Sequence, residues 1–89
     1  MKVRVSYKGF LSFLAGVSEE EVEIQPGATV SRLLEELAAR HGEPFRNAVM
    51  PGGSRRLVAL VSVDGAPAGV EDVLHDSARV LLVRAVGGG

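Results

Sequence analysis

Only one stretch of this chain carries an apolar stripe at helical spacing, and it stands between stretches that alternate every second residue. Val30, Leu33, Leu34, Leu37 and Ala38 recur at intervals of three and four, which puts them on one face of a helix. Thr29 can cap the start of that helix. Gly42 closes it, and Pro44 forbids its return. On the outer face Arg32, Glu36 and Arg40 follow one another at four-residue intervals, the spacing of helical ion pairs. A chain with a single such stripe has to find a flat apolar partner for it.

The flanking segments supply that partner. Val3, Val5 and Tyr7 alternate with Lys2, Arg4 and Ser6, the period of a strand with one buried face. Gly9 to Gly16 interrupts the alternation with Phe10, Leu11, Phe13 and Leu14 and reads as a turn that tucks these side chains under the sheet. Val22 and Ile24 then alternate with Glu23 and Gln25 until Pro26 and Gly27 stop a second strand, so the first two strands form a hairpin. After the helix, Glu43 to Arg56 has no period and collects Pro51, Gly52, Gly53 and Ser54, which predicts a surface loop anchored by Phe45 and Met50. Leu57 to Val63 is almost continuously apolar, as a central strand covered on both sides would be. Asp64-Gly65 is a type I′ hairpin pair, and Pro67 breaks the short segment that follows. Val70, Val73 and Leu74 suggest one helical turn, and Arg79 to Val86 is the last strand. One helix between two hairpins can be buried only across one face of their sheet. The reading is α+β, with the β-grasp order and a mixed sheet of roughly four or five strands.

At 89 residues, 46% hydrophobic and 24% charged, this is one compact domain, expected over residues 1–86, with residues 87–89 as a flexible glycine tail. A core of this size leaves little room for an enclosed active site. Cysteine is absent, which excludes a disulfide framework, a thiolate zinc site and a cysteine nucleophile, and fits a reducing, cytosolic setting. The net charge of -1 gives no general pull toward nucleic acid or an anionic membrane. The N-terminal alternation differs from the apolar run of a signal peptide. Leu57 to Val61 is too short to span a bilayer. A soluble, cytoplasmic protein is expected.

Enzyme chemistry finds little purchase. His41 sits at the predicted helix C-terminus, where positive charge is favourable, and His75 stands beside Asp76 in a predicted turn; a structural part for each is the simpler reading. No HExxH, GxSxG or calcium-loop spacing occurs, and Pro51 to Arg56 lacks the ending of a phosphate loop. Arg55, Arg56, Arg79 and Arg84 could form a basic patch, and Glu19 to Glu21 an acidic one, although solvated surface explains both. Tyr7, Phe10, Phe13 and Phe45 fall at core or loop-anchor positions, without the interleaving that stacks nucleic-acid bases.

The tail differs in kind. Three terminal glycines arise by chance about three or four times in ten thousand, and Gly87, Gly88 and Gly89 follow directly on a strand. A floppy end is the plain alternative. Glycine has no Cβ, so such a tail can pass a channel too narrow for other residues and leaves its terminal carbonyl open to attack. It suits a carboxylate delivered into another protein's active site. Once activated, for example as an acyl-adenylate, that carboxylate can be taken by a sulfur or amine nucleophile.

These residues resemble a known family over most of the chain: the molybdopterin-synthase small subunit, MoaD, and related ThiS-type sulfur carriers of the ubiquitin-like β-grasp. Tyr7, Gly9, Leu11, Leu14, Ala15 and Gly16 look like its first turn, and Thr29, Val30, Leu33, Leu34 and Leu37 like its helix. Val61, Val63, Asp64 and Gly65 are similar to its central strand and hairpin, where asparagine-glycine is usual, and Gly88-Gly89 matches its terminal diglycine. Three features depart from it. Arg84-Ala85 stands where many relatives carry two prolines, Ser77-Ala78 replaces a common glycine-aspartate, and the loop from Asn47 to Arg56 is longer than in the shortest members.

The resemblance implies a reagent, not a catalyst. An E1-like adenylating enzyme of the MoeB/ThiF type would use ATP to adenylate Gly89, with Gly88 beside it, and sulfur would replace the adenylate. The resulting thiocarboxylate would donate sulfur inside a partner, the molybdopterin-synthase large subunit in the MoaD case, which makes the dithiolene of molybdopterin. No bound cofactor and no metal are expected, and neither nucleic acid nor membrane is an expected partner. Sulfur delivery for cysteine or thiamine synthesis, and a protein modifier joined through Gly89 to lysines, use the same tail. A β-grasp interaction module with an incidental glycine end is the remaining class.

Overall fold

The computed structural model describes residues 1–50 and 59–84. Within them the chain forms strand β1 (Lys2–Lys8), helix α1 (Phe10–Ala15), strand β2 (Glu19–Glu23), helix α2 (Val30–His41), helix α3 (Glu43–Val49) and strands β3 (Ala59–Val63), β4 (Ala66–Pro67) and β5 (Arg79–Arg84). The sheet runs β2-β1-β5-β3-β4. β1 and β5 are parallel, with Tyr7 beside Leu82, and the other pairings are antiparallel. This is the expected β-grasp.

The core forms where the alternation and the stripe meet. Val3, Val5 and Tyr7 of β1, Val22 of β2, Ala59 and Val61 of β3, and Val80 and Leu82 of β5 form the inner face, against Val30, Leu33, Leu34 and Leu37 of α2. Thr29 Oγ1 accepts the Arg32 N–H at 3.3 Å, and Gly42, with φ near +94°, sends its N–H to the Ala38 carbonyl at 2.9 Å. Both helix ends are satisfied as the sequence predicts.

Several expectations need correction. The Gly9 to Gly16 segment is a short helix, closed by Gly16 in the left-handed conformation. It buries Leu11 but leaves Phe10 and Phe13 in solvent. The stretch after Gly42 begins as α3 and not as a loop, because Pro44 lies at the first positions of a new helix, where its fixed φ and missing N–H cost nothing. Phe45, Ala48 and Val49 form its buried stripe, and Phe45 and Met50 are anchors as expected. β3 is covered on one face only, since Leu60 is exposed between the buried Ala59 and Val61. Residues 70–74 form no helical turn. Their backbone runs beside the start of α2, where the carbonyls of Asp72 and Val70 accept the N–H groups of Val30 and Ser31 at 3.0 and 2.9 Å. These are donors that a helix cannot satisfy internally. Arg40 pairs with Glu20 across the fold, and Arg46 with Glu35, in place of the expected pairs along α2. Leu57, the Pro51 to Arg56 loop, Val86 and the glycine tail lie outside the described residues.

Candidate functional site

Gly88 and Gly89 also lie outside the described residues, so the site is approached from the strand that leads to them. β5 is flanked by β1 on one side and β3 on the other. Its register is pinned by the Lys8–Val83 and Ala59–Arg84 pairings. It is paired on both sides and buried through Val80 and Leu82, so the sheet holds it in place. A tail leaving its C-terminal end starts from a fixed point. Arg84 is exposed there, its guanidinium carbon 5.5 Å from the centre of the Phe10 ring, within cation–π range.

The two histidines are placed by the fold in separate networks. His41 and Arg40, at the end of α2, both meet the Glu20 carboxylate, at 2.6 Å through His41 Nε2 and 3.0 Å through Arg40. The Tyr7 hydroxyl donates to the same carboxylate. Burial first, then this hydrogen bond to a carboxylate, pushes the Tyr7 hydroxyl well above its ordinary pKa. For Glu20 burial acts upward, but the hydrogen bonds from Tyr7, His41 and Arg40 outweigh it and hold the carboxyl below its ordinary range. With the Tyr7, His41 and Phe45 rings packed edge-on or tilted, this cluster ties α2 and α3 to the β1–β2 hairpin. It holds no nucleophile. His75 bonds through Nε2 to the Asp64 carboxylate and through Nδ1 to the Asp76 carbonyl at 2.8 Å. Asp64 also accepts the Arg79 N–H at 2.9 Å. That network ties the β3–β4 turn to the start of β5.

Arg79 and Arg84 stand at opposite ends of β5, so these two arginines do not share a patch; Arg55 and Arg56 lie outside the described residues. The acidic run splits as well, Glu19 turning to Arg4 at 2.8 Å while Glu20 enters the Tyr7 cluster. Among the described residues no group of three or more histidine, cysteine or acidic side chains could hold a metal. No described helix is long and apolar enough to cross a membrane. The exposed aromatic pair Phe10 and Phe13, stacked at 6.0 Å, was assigned to the core by sequence reasoning. Its outward placement had one available signal, since Phe10 and Phe13 are three apart and Leu11 and Leu14 are three apart, two stripes of a short helix of which only one can face inward.

No curated protein matches the chain. Among solved structures, one described as molybdopterin converting factor subunit 1 from Pyrococcus furiosus is 34% identical, covers 97% of this chain and 99% of its own, and superposes with a TM-score of 0.81. The BexX/CysO complex of Amycolatopsis orientalis contains a chain 27% identical, with coverage of 98% and 99% and a TM-score of 0.70. Small archaeal modifier protein 1 of Haloferax volcanii, at 21% identity, full coverage of both chains and a TM-score of 0.84, shows the same fold. The ThiS family model matches residues 5–89, from the first core strand through the last glycine, and the chain therefore belongs to the ThiS family of ubiquitin-like sulfur carriers.

Proposed function

We propose that this chain carries sulfur as a thiocarboxylate on Gly89 and delivers it in molybdopterin synthesis, as the small subunit beside a larger catalytic one. The observation that carries the reading is the 34% identity, over nearly the whole of both chains, with a protein described as a molybdopterin converting factor subunit. The family match running through Gly89 supports the use of the tail.

The chemistry asks little of the folded domain beyond presentation. The Gly89 carboxylate attacks the α-phosphate of ATP in an E1-like adenylating enzyme, and pyrophosphate leaves. A hydrosulfide-level nucleophile then attacks the acyl carbon and expels AMP, leaving the thiocarboxylate. In the acceptor enzyme the thiocarboxylate sulfur attacks a substrate carbon and displaces an oxygen leaving group from it, and hydrolysis of the acyl–sulfur bond then returns the carboxylate and leaves the sulfur on the substrate as a thiol. Gly88 and Gly89 bring no side chains to either channel. The chain is consumed and regenerated in the cytosol, binds no cofactor of its own, and leaves ATP to the activating enzyme.

Mass spectrometry of the C-terminal peptide tests this after reaction with a MoeB/ThiF-type enzyme, ATP and a sulfur donor. Exchange of one carboxylate oxygen for sulfur is expected, followed by its loss on adding the molybdopterin-synthase large subunit and the cyclic pterin phosphate. A chain that gains sulfur but never yields it there serves another acceptor, such as cysteine or thiamine synthesis. A chain that never gains sulfur sinks the carrier reading for Gly89.

A further inference from the structure

The two edges of the sheet are built differently. The strand order puts β2 at one edge and β4 at the other. β4 is two residues long and one of them is Pro67, which has no N–H to offer, so that edge is closed to strand pairing. β2 is five residues long and pairs on one side only, with β1. The direction of its backbone groups follows from the hydrogen bonds at its two ends. Met1 and Ile24 exchange both of their bonds at 2.8 Å, and the Tyr7 N–H donates to the Ser18 carbonyl at 2.8 Å. In an antiparallel pair such positions alternate with ones whose N–H and C=O point away from the partner. Glu20 and Val22 therefore turn toward β1, while Glu19, Glu21 and Glu23 turn their N–H and C=O groups to the open edge.

The side chains of the same three residues decide what can add there. All three are exposed, at alternate positions and so on one face of the sheet. Glu19 bonds Arg4 at 2.8 Å, whereas Glu21 and Glu23 make no ion pair among the described residues. A second copy of this strand would set glutamate beside glutamate, which like-charge repulsion disfavours. The edge is guarded against copies of itself and open to a strand of opposite charge. On its other face an added strand would run beside the groove that Ile24 and Pro26 form with Arg32 and Glu36 of α2, and beside Arg40, already paired with Glu20. Uncharged residues suit that side.

We propose that β2 is a strand-addition site for an extended segment of a partner protein that carries lysine or arginine at every second residue, with uncharged residues between. The backbone groups of Glu19, Glu21 and Glu23 supply the pairing, and their carboxylates the choice of partner. β1 separates this edge from β5, the strand that leads to the tail, so the site goes beyond the sulfur-carrier reading and does not depend on it. The test titrates the full, isotope-labelled chain at low salt with a synthetic peptide alternating lysine and threonine over about seven residues, following amide NMR signals and hydrogen exchange. The amides of Glu19, Glu21 and Glu23 should shift and exchange more slowly on binding, while those of Glu20 and Val22, already turned to β1, change little. Glu21→Gln/Glu23→Gln should raise Kd about 3- to 10-fold, with the melting temperature unchanged because both side chains are exposed. No binding, binding without protection of the three edge amides, or a parental Kd in the double variant overturns the proposal. So does equal binding of a peptide alternating glutamate and threonine. Protection of those amides in the free chain that rises with its concentration assigns the edge to a second copy and also overturns it. Deleting Gly88 and Gly89 should leave Kd unchanged; loss of binding there overturns the placement on β2, and neither result bears on whether Gly89 accepts sulfur.

Discussion

At Gly65 the backbone φ is +85°, and a Cβ built there would meet no heavy atom within 4 Å. The requirement for glycine is therefore one of backbone conformation and not of space. Gly65→Val should cost about 1 to 3 kcal/mol, because a β-branched residue resists that region. An unchanged melting temperature would contradict it. Asp64, at φ 52, completes the turn, and the pair was legible in the sequence because few dipeptides suit two successive positive φ values. Ser77 also has positive φ, at 66; a single serine hid that turn from sequence reading. His75 was read with its neighbour Asp76, yet its charged partner is Asp64, eleven residues away, which no local pattern reveals. The Asp64 carboxylate first, then the Asp76 carbonyl, raises the His75 pKa above its ordinary 6.5. A raised folded-state pKa gives stability that is fully present below 6.5 and is lost as pH climbs through the higher folded value. The Arg79 N–H first, then His75, lowers Asp64 below 3.8, so its share is present above 3.8 and fades as pH falls below it. The parent's melting temperature should therefore decline from about pH 6.5 upward, and His75→Ala should lack that part of the decline. Parallel curves for the two proteins would show that the contact contributes nothing in solution.

Among the elements, α2 was the most legible because its stripe, cap and stop all point to one structure. Leu34 and Leu37 are fully buried, so truncating either to alanine should cost about 2 to 5 kcal/mol. Denaturant midpoints check this, and two variants that unfold like the parent would mean that the helix does not pack on the sheet. Shorter elements were harder to read. α1 and α3 have six and seven residues, below the length at which helical periodicity separates from chance, and their order comes from tertiary packing and not from propensity. In α3 the proline that bars α2 from resuming also begins the next helix, so one residue carried two opposite messages. Residues 70–74 failed differently: their apolar spacing imitates a helical turn, but their carbonyls are used by the first donors of α2, a demand that is invisible until the helix is in place. Glu20 could have been found. It has the same parity as Val22 and Ile24, the inward face of β2, and a carboxylate on that face needs partners, which Tyr7, Arg40 and His41 supply.

For the whole molecule, stability and transfer should be separable, because the described core does not use the tail. Its last buried residue is Leu82, and the described sheet pairing runs to Arg84. Deleting Gly88 and Gly89 should leave the melting temperature within about 2 °C of the parent, since no buried apolar group is lost. The same deletion withdraws the reacting carboxylate, and acceptance of sulfur should disappear. Gly89→Val should behave similarly, because a Cβ crowds the carbonyl under attack, whereas Gly87→Ala should be milder. Leu82→Ala supplies the opposite case: it removes a side chain from the middle of the core and should cost about 2 to 5 kcal/mol, while the molecules that remain folded still accept sulfur at Gly89. Thermal melts paired with mass spectrometry of the C-terminal peptide measure both properties on each variant. The expected pattern is two variants that melt normally and carry no sulfur, beside one that melts early and does carry it. If the truncated chain melts far below the parent, residues beyond Arg84 belong to the folded domain; if it takes up sulfur as the parent does, Gly89 is not the acceptor.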